Sequence, residues 1–431
     1  MSTLAPAELV ERIWERDPSV WTSGDEAQWL GWLDEPARMR ERVHELLEYA
    51  TRLEAEVDQV VLFGMGGSSL APEVMRRAFG AERFHVLDTT HPTAIRRLEA
   101  SIDIGRTLFI AASKSGTTLE TRSHTDYFRD KGGRFAVITD PGSPLAEISE
   151  DVFYGEPTIG GRYSALSVFG LLPAALMGID VSRLLDRAEE MREGCRLEDG
   201  NPGLELGLEL AEKQFLYVDH SFGLWVEQLV AESTGKEGKG IVPVRPPHGG
   251  LQPYVIESPY ELGQEFFRWE FGVAVAGSIV GINPFDQPDV QAAKDKTRAV
   301  LSGRGLGSDP QTRPERSVDE LLAEAGPGRY VAIQAFIDPE REPELEPFVR
   351  RARETGAEVA VGLGPRYLHS TGQLHKGGPD IGLFLQVVDD LGEELPIPGQ
   401  KFGFRELISA QAKGDLEALE ERGRKVARTS L

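Results

Sequence analysis

The chain has 431 residues, 40% hydrophobic and 27% charged, with a formal net charge of −23. That size and balance suit a soluble globular protein with two or three cored domains, while the negative excess argues against nucleic acid and anionic membrane surfaces as partners, so a bound anion needs a local pocket. Cys195 is the single cysteine, which excludes an internal disulfide and cysteine-built zinc or iron–sulfur sites and points to a reducing compartment.

The N-terminal stretch "MSTLAPAELVERIWERDPS" carries charge through its first turns and has no signal-peptide core, so a cytoplasmic location is expected. Residues 1–55 read as a helical segment holding Trp14, Trp21, Trp29 and Trp32. From Gln59 the texture alternates. "VVLFGMGG" reads as a buried strand and "SSLAPEVMRRAF" as a helix; "RFHVLDTT", "TLFIAAS" and "RFAVITD" read as further strands, with helices from Pro92 and Thr117 between them. Short apolar strands separated by helical crossovers pair in parallel, because parallel neighbours need long connections. Residues 56–185 are therefore expected to form a doubly wound α/β domain.

A second α/β domain is expected over 186–395. There "SFGLWVEQLVAES" reads as a strand running into a helix, and "YVAIQAFI", "EPFVRRARETG", "AEVAVGLG" and "IGLFLQVV" alternate strand, helix, strand, strand. "FGVAVAGSIVGINPF" is too short and too glycine-rich to span a bilayer and reads as a buried helix. Residues 396–431 read as a charged helical arm on the surface or at an interface.

The stretch "SKSGTT" falls where a strand meets a helix, outside the carboxyl end of the sheet, which is where doubly wound folds bind ligands. Ser113, Lys114, Ser115, Thr117 and Thr118 would add side-chain donors to the unpaired amides of a helix start, a combination suited to phosphate. The alternative is plain N-capping by Ser115 or Thr117, which accounts for one hydroxyl. One strand earlier, "GMGGSSLAP" offers Gly66 and Gly67 for close backbone approach and Ser68 as a donor. It does not have the spacing of a dinucleotide fingerprint.

The blocks "GMGGSSLAPEV", "HVLDTTHP", "AASKSGTTLET", "GGRYSALS", "AESTGKEGKGI" and "NPFDQPDVQAAK" occur in this order. Together they resemble the signature blocks of the glucose-6-phosphate isomerase (phosphoglucose isomerase) family. "VWTSGDEAQWLGWL" and "LHSTGQLHKGGP" look more like the isomerase half of bacterial transaldolase–isomerase fusions, although the chain has no spare stretch of about 200 residues for a transaldolase barrel.

The resemblance implies two sugar-isomerase (SIS-type) domains with parallel sheets and a cofactor-free, metal-free isomerisation of glucose 6-phosphate and fructose 6-phosphate. It implies Glu232 as the base that moves a proton between C2 and C1, and Arg162, beside Gly161, as the cation facing the enediolate. Gln287 would touch phosphate and Lys294 would assist ring opening. The family's histidine comes from a partner subunit and lies between the glutamate and the lysine in the chain. Here only His248 falls in that interval, whereas the matching local context surrounds His369, with His375 as second choice. Family members are commonly dimers, so a homodimer is one expectation. Competing functions are a related isomerase acting on glucose and mannose 6-phosphates, and a non-catalytic sugar-phosphate-binding protein.

Overall fold

The computed structural model describes residues 4–219, 221–247, 254, 256–289, 296–297, 301 and 316–431. Helices α1 (Pro6–Trp14) and α2 (Glu35–Leu53) open the chain, with three short 3-10 turns between them. Then come β1 (Gln59–Phe63), α3 (Leu70–Phe79), β2 (Phe84–Leu87), α4 (Pro92–Ser101), β3 (Thr107–Ala112), α5 (Leu119–Asp130), β4 (Arg134–Thr139) and β5 (Val152–Tyr154). The five strands form one parallel sheet in the order β2-β1-β3-β4-β5.

This sheet is buried on both faces, as crossover helices require. Alternate residues divide between two cores. Leu62, Leu108, Ile110, Ala136 and Ile138 join one with the N-terminal helices, and Val61, Phe63, Phe109, Ala111 and Val137 join the other. The period of two along each strand is what sends neighbours to opposite faces. Strand order reverses direction between β1 and β3, and the loops leaving these two strands stand at the switch point where doubly wound sheets bind ligands. Those loops are 64–69 and 113–118.

The chain continues through α6 (Val168–Leu176), α7 (Val181–Gly194), α8 (Pro202–Ala211), β6 (Phe215–Tyr217), α9 (Gly223–Thr234), β7 (Val242–Val244) and α10 (Leu262–Val280). After α11 (Val318–Leu322) follow β8 (Tyr330–Phe336), α12 (Glu346–Glu354), β9 (Glu358–Leu363), α13 (Gly372–Gly377), β10 (Gly382–Val388), α14 (Phe404–Glu421) and β11 (Lys425–Ser430). The second sheet is also parallel, in the order β11-β10-β8-β9. The parallel pair β6-β7 lies along its edge, where Arg245 N donates to Val359 O at 2.7 Å. The chain is thus an α/β protein with parallel sheets. Among the described residues no helix is long and apolar enough to cross a membrane.

Two expectations need correction. "SFGLWVEQLVAES" holds no strand: the strand lies earlier, at Phe215–Tyr217, and Gly223–Thr234 is helix throughout. The apolar run is continuous because α9 is buried on almost every side, which removes the periodicity that separates helix from strand. The segment 396–431 is not a surface arm. In α14, Phe404 and Leu407 pack into the first sheet's core, Leu416 and Leu419 pack beside the second sheet, and β11 completes that sheet's edge.

Candidate active site

The 113–118 loop is drawn tight by its own hydroxyls. Ser113 Oγ and Thr118 Oγ1 are 2.8 Å apart, and Ser115 Oγ and Thr117 Oγ1 are 2.9 Å apart. Gly116 has φ +65° and donates to Ser113 Oγ at 3.1 Å. A Cβ here would be both strained and in collision with Ser143 Oγ. Thr118 makes no side-chain capping bond to α5, so the hydroxyls are arranged around the helix start without serving as its N-cap. Arg122 reaches back to Gly116 O at 3.3 Å and adds positive charge to the loop. Lys114 departs from its expected use. Its ammonium binds Asp140 Oδ1 at 2.8 Å and Glu156 O at 3.1 Å, with Phe169 beneath it at 5.2 Å.

Gly67 and Gly161 bring the first loop against the turn that carries Arg162. A Cβ on Gly67 would overlap the Gly161 carbonyl and lie 2.9 Å from Arg162 N, so only glycine permits this approach. Ser68 is buried in the same loop. Arg162 is buried too, and its guanidinium is fixed by three donated bonds, to Ser233 Oγ (2.8 Å), Pro284 O (2.6 Å) and Asp286 O (2.9 Å). Its Nη1 lies 3.7 Å from Glu232 Oε2.

Glu232 lies in the last turn of α9 and is 5% exposed. Burial pushes its carboxyl above the ordinary range, against the pull of Arg162 and of the Gln228 amide, which donates to Oε2 at 3.1 Å. A carboxyl raised this way is a better proton acceptor once ionised than one free in water. Gln228 also donates to His369 O at 2.9 Å, and His369 Nε2 lies 2.9 Å from Glu120 Oε1. Glu120 is in the first turn of α5, two residues beyond Thr118. A chain of three hydrogen bonds therefore joins Glu232 to the helix that the hydroxyl loop begins.

Of the other expected residues, Gln287 is exposed and follows directly on Asp286, whose carbonyl holds Arg162. It is not helical. Lys294 and His248 lie outside the described residues. His375 is buried elsewhere, with Nδ1 3.0 Å from Gln334, and desolvation drives its imidazole toward the neutral form.

Sequence reasoning passed over Gln228, Glu120 and Lys236. Lys236 is 1% exposed and donates to Asn283 O (2.7 Å), Asp286 O (2.7 Å) and Asp286 Oδ1 (2.5 Å). Burial and the nearby Arg162 charge bring its ammonium down to about 8, against the opposing pull of Asp286. Lys236 and Arg162 thus hold the same 283–286 loop. Lys236 and Glu120 both stood inside quoted motifs, but nothing local marks them as partners of residues far along the chain.

The family model described as phosphoglucose isomerase matches residues 36–199. The match spans less than half of the chain. It contains Gly67, the 113–118 loop and Arg162, while Glu232 and His369 lie beyond it. A glucose-6-phosphate isomerase of Cyanothece sp. is 36% identical over 211 residues, which cover 41% of this chain and 40% of that relative. A probable glucose-6-phosphate isomerase of Methanococcus maripaludis is 24% identical over 380 residues, 65% of this chain and 86% of the relative. The crystal structure of a glucose-6-phosphate isomerase from Chlamydia trachomatis shares the fold, with a TM-score of 0.53 at 20% identity over 62% of this chain and 74% of that one.

Proposed function

We propose that this chain interconverts glucose 6-phosphate and fructose 6-phosphate through a cis-enediolate, with Glu232 as the base. The observation that carries the proposal is a buried carboxyl 3.7 Å from a fixed guanidinium. Proton abstraction beside a carbonyl needs a partly desolvated base, and the enediolate it generates needs a cation that does not have to reorganise. The similarity to glucose-6-phosphate isomerases supplies the substrate.

In this reading the phosphate sits at the start of α5 among Ser113, Ser115, Thr117 and Thr118, with the Gly67–Ser68 and Gly161 backbones close by and Gln287 at the rim. Arg162 faces the developing negative charge. His369, oriented by Glu120, moves the hydroxyl proton during ring opening, and Lys294 assists at the ring oxygen. The two sugar-isomerase domains are taken as 56–185 and 186–395, the second completed by α14 and β11. A cytoplasmic sugar-phosphate enzyme without a nucleic-acid partner fits the net charge of −23.

The test is a coupled assay on fructose 6-phosphate with EDTA present. Glu232→Gln keeps the shape and removes the base, so kcat falls about 10²–10⁴-fold while phosphosugar binding persists. Because burial raises the Glu232 carboxyl, the acid limb of kcat/KM in the native protein lies above 4.5, and activity rises as pH climbs through it. Full activity in Glu232→Gln refutes the assignment.

A further inference from the structure

We infer that Gln411, on the C-terminal helix α14, is a positioning residue for the His369–Glu120 pair, an inference that rests on the acid–base role proposed for His369. Gln411 is 2% exposed. Its Nε2 donates to Glu120 Oε1 at 2.7 Å, the oxygen that also faces His369 Nε2 at 2.9 Å. Its Oε1 accepts from the Thr90 hydroxyl at 2.8 Å. Both ends of the amide are therefore used, and its orientation follows from chemistry: a carboxylate only accepts, so the amide nitrogen must face Glu120.

With its oxygen held by the amide, the Glu120 carboxylate accepts the Nε2–H of the imidazole. That selects one neutral tautomer and leaves Nδ1 as the nitrogen that can exchange a proton with substrate. Which ring nitrogen acts is set by the bond the other one makes. Gln411 touches neither substrate nor the histidine; it acts through Glu120.

The helix beneath Gln411 is itself held in register over the histidine segment. One turn later, Asp415 accepts from Tyr367 OH at 2.6 Å and from Lys376 Nζ at 2.5 Å, all three residues being buried. Tyr367 and Lys376 flank His369 in the chain. Ala412 O accepts from Gln386 Nε2 at 2.8 Å and pins the same helix to β10. Thus α14 spans from the 366–376 segment to Glu120 on α5, and Gln411 is its contact with the acid–base pair.

The experiment compares Gln411→Leu and Thr90→Val with the native protein. Gln411→Leu removes the donor at similar volume; Thr90→Val removes only the hydroxyl that orients it and serves if the first variant does not fold. Two readouts are taken: steady-state kinetics on fructose 6-phosphate, and the ring ¹⁵N shifts of His369, assigned by their loss in His369→Ala. The expected result is about a tenfold fall in kcat for Gln411→Leu and a smaller fall for Thr90→Val. KM stays within about twofold, and the ¹⁵N signals move from one Nε2–H tautomer toward an average of both. An unmoved tautomer signal overturns the inference, whatever happens to the rate. A fall in kcat that only tracks lost thermal stability overturns it too. The ¹⁵N readout needs no turnover, so it stands even if Glu232→Gln shows the isomerase reading to be wrong.

Discussion

Gly67 and Gly161 meet across the site, and the structure predicts opposite consequences for giving each a methyl group. On Gly67 the added Cβ falls inside the Gly161 carbonyl group and 2.9 Å from Arg162 N, whereas on Gly161 it finds nothing within 4 Å. The colliding atoms in the first case are backbone, which cannot rotate aside as a side-chain tip does. Relief requires the 160–162 turn to retreat by about 1 Å, at about 1–3 kcal/mol of overpacking. That turn carries Arg162, whose Nη1 lies 3.7 Å from Glu232, and a misplacement of this size lowers catalysis by about 10²-fold. Gly67→Ala should therefore lose both melting temperature and kcat/KM on fructose 6-phosphate, while Gly161→Ala should keep its melting temperature. The reasoning is refuted if Gly67→Ala matches the native protein in both, or if Gly161→Ala proves the less stable of the two.

The hydrogen bonds that join Glu232, Gln228, His369 and Glu120 are all formed within one chain. Mixing inactive Glu232→Gln with inactive His369→Ala, unfolded and refolded together, should restore no activity; recovery would show that the histidine serves a neighbouring copy. Elsewhere, Glu270 is 1% exposed, its Oε1 has no hydrogen-bond partner, and burial with the nearby Glu35 raises its carboxyl well above 4.5. Below 4.5 folded and unfolded chains both hold the proton. Above it the folded chain holds one more, so Glu270 makes stability fall with rising pH by up to about 1.4 kcal/mol per pH unit. Glu270→Gln should flatten that slope in urea midpoints taken between about pH 5 and pH 8; parallel slopes would show that Glu270 gives up its proton in the fold.

Much of the architecture is visible in local pattern. The strands β1, β3, β4, β8 and β10 follow from short apolar runs bounded by turn residues, and the ligand-side loops follow from where those runs stop. The start of α9 reads as strand because a helix buried all round carries no stripe. The C-terminal helix reads as a charged surface or interface arm for a related reason: Asp415 is 0% exposed, and nothing in "AQAKGDLEALEE" shows that its charge meets Tyr367 and Lys376. Lys114 likewise gave no local sign that Asp140 would bind it.

What the sequence determined by itself was the pair of parallel α/β sheets, the glycine and hydroxyl loops at the end of the first, and a short set of candidate acids, bases and cations. What only the tertiary structure decided was how they pair: that His369 meets Glu120 across 249 residues of chain, that Gln228 ties it to Glu232, and that a helix from the far C-terminus bonds to Glu120. Secondary structure is written in neighbours three, four or two residues apart, which a reader of the chain can see. A buried hydrogen bond is chosen by which surfaces the whole chain packs together, and that choice has no local period to betray it.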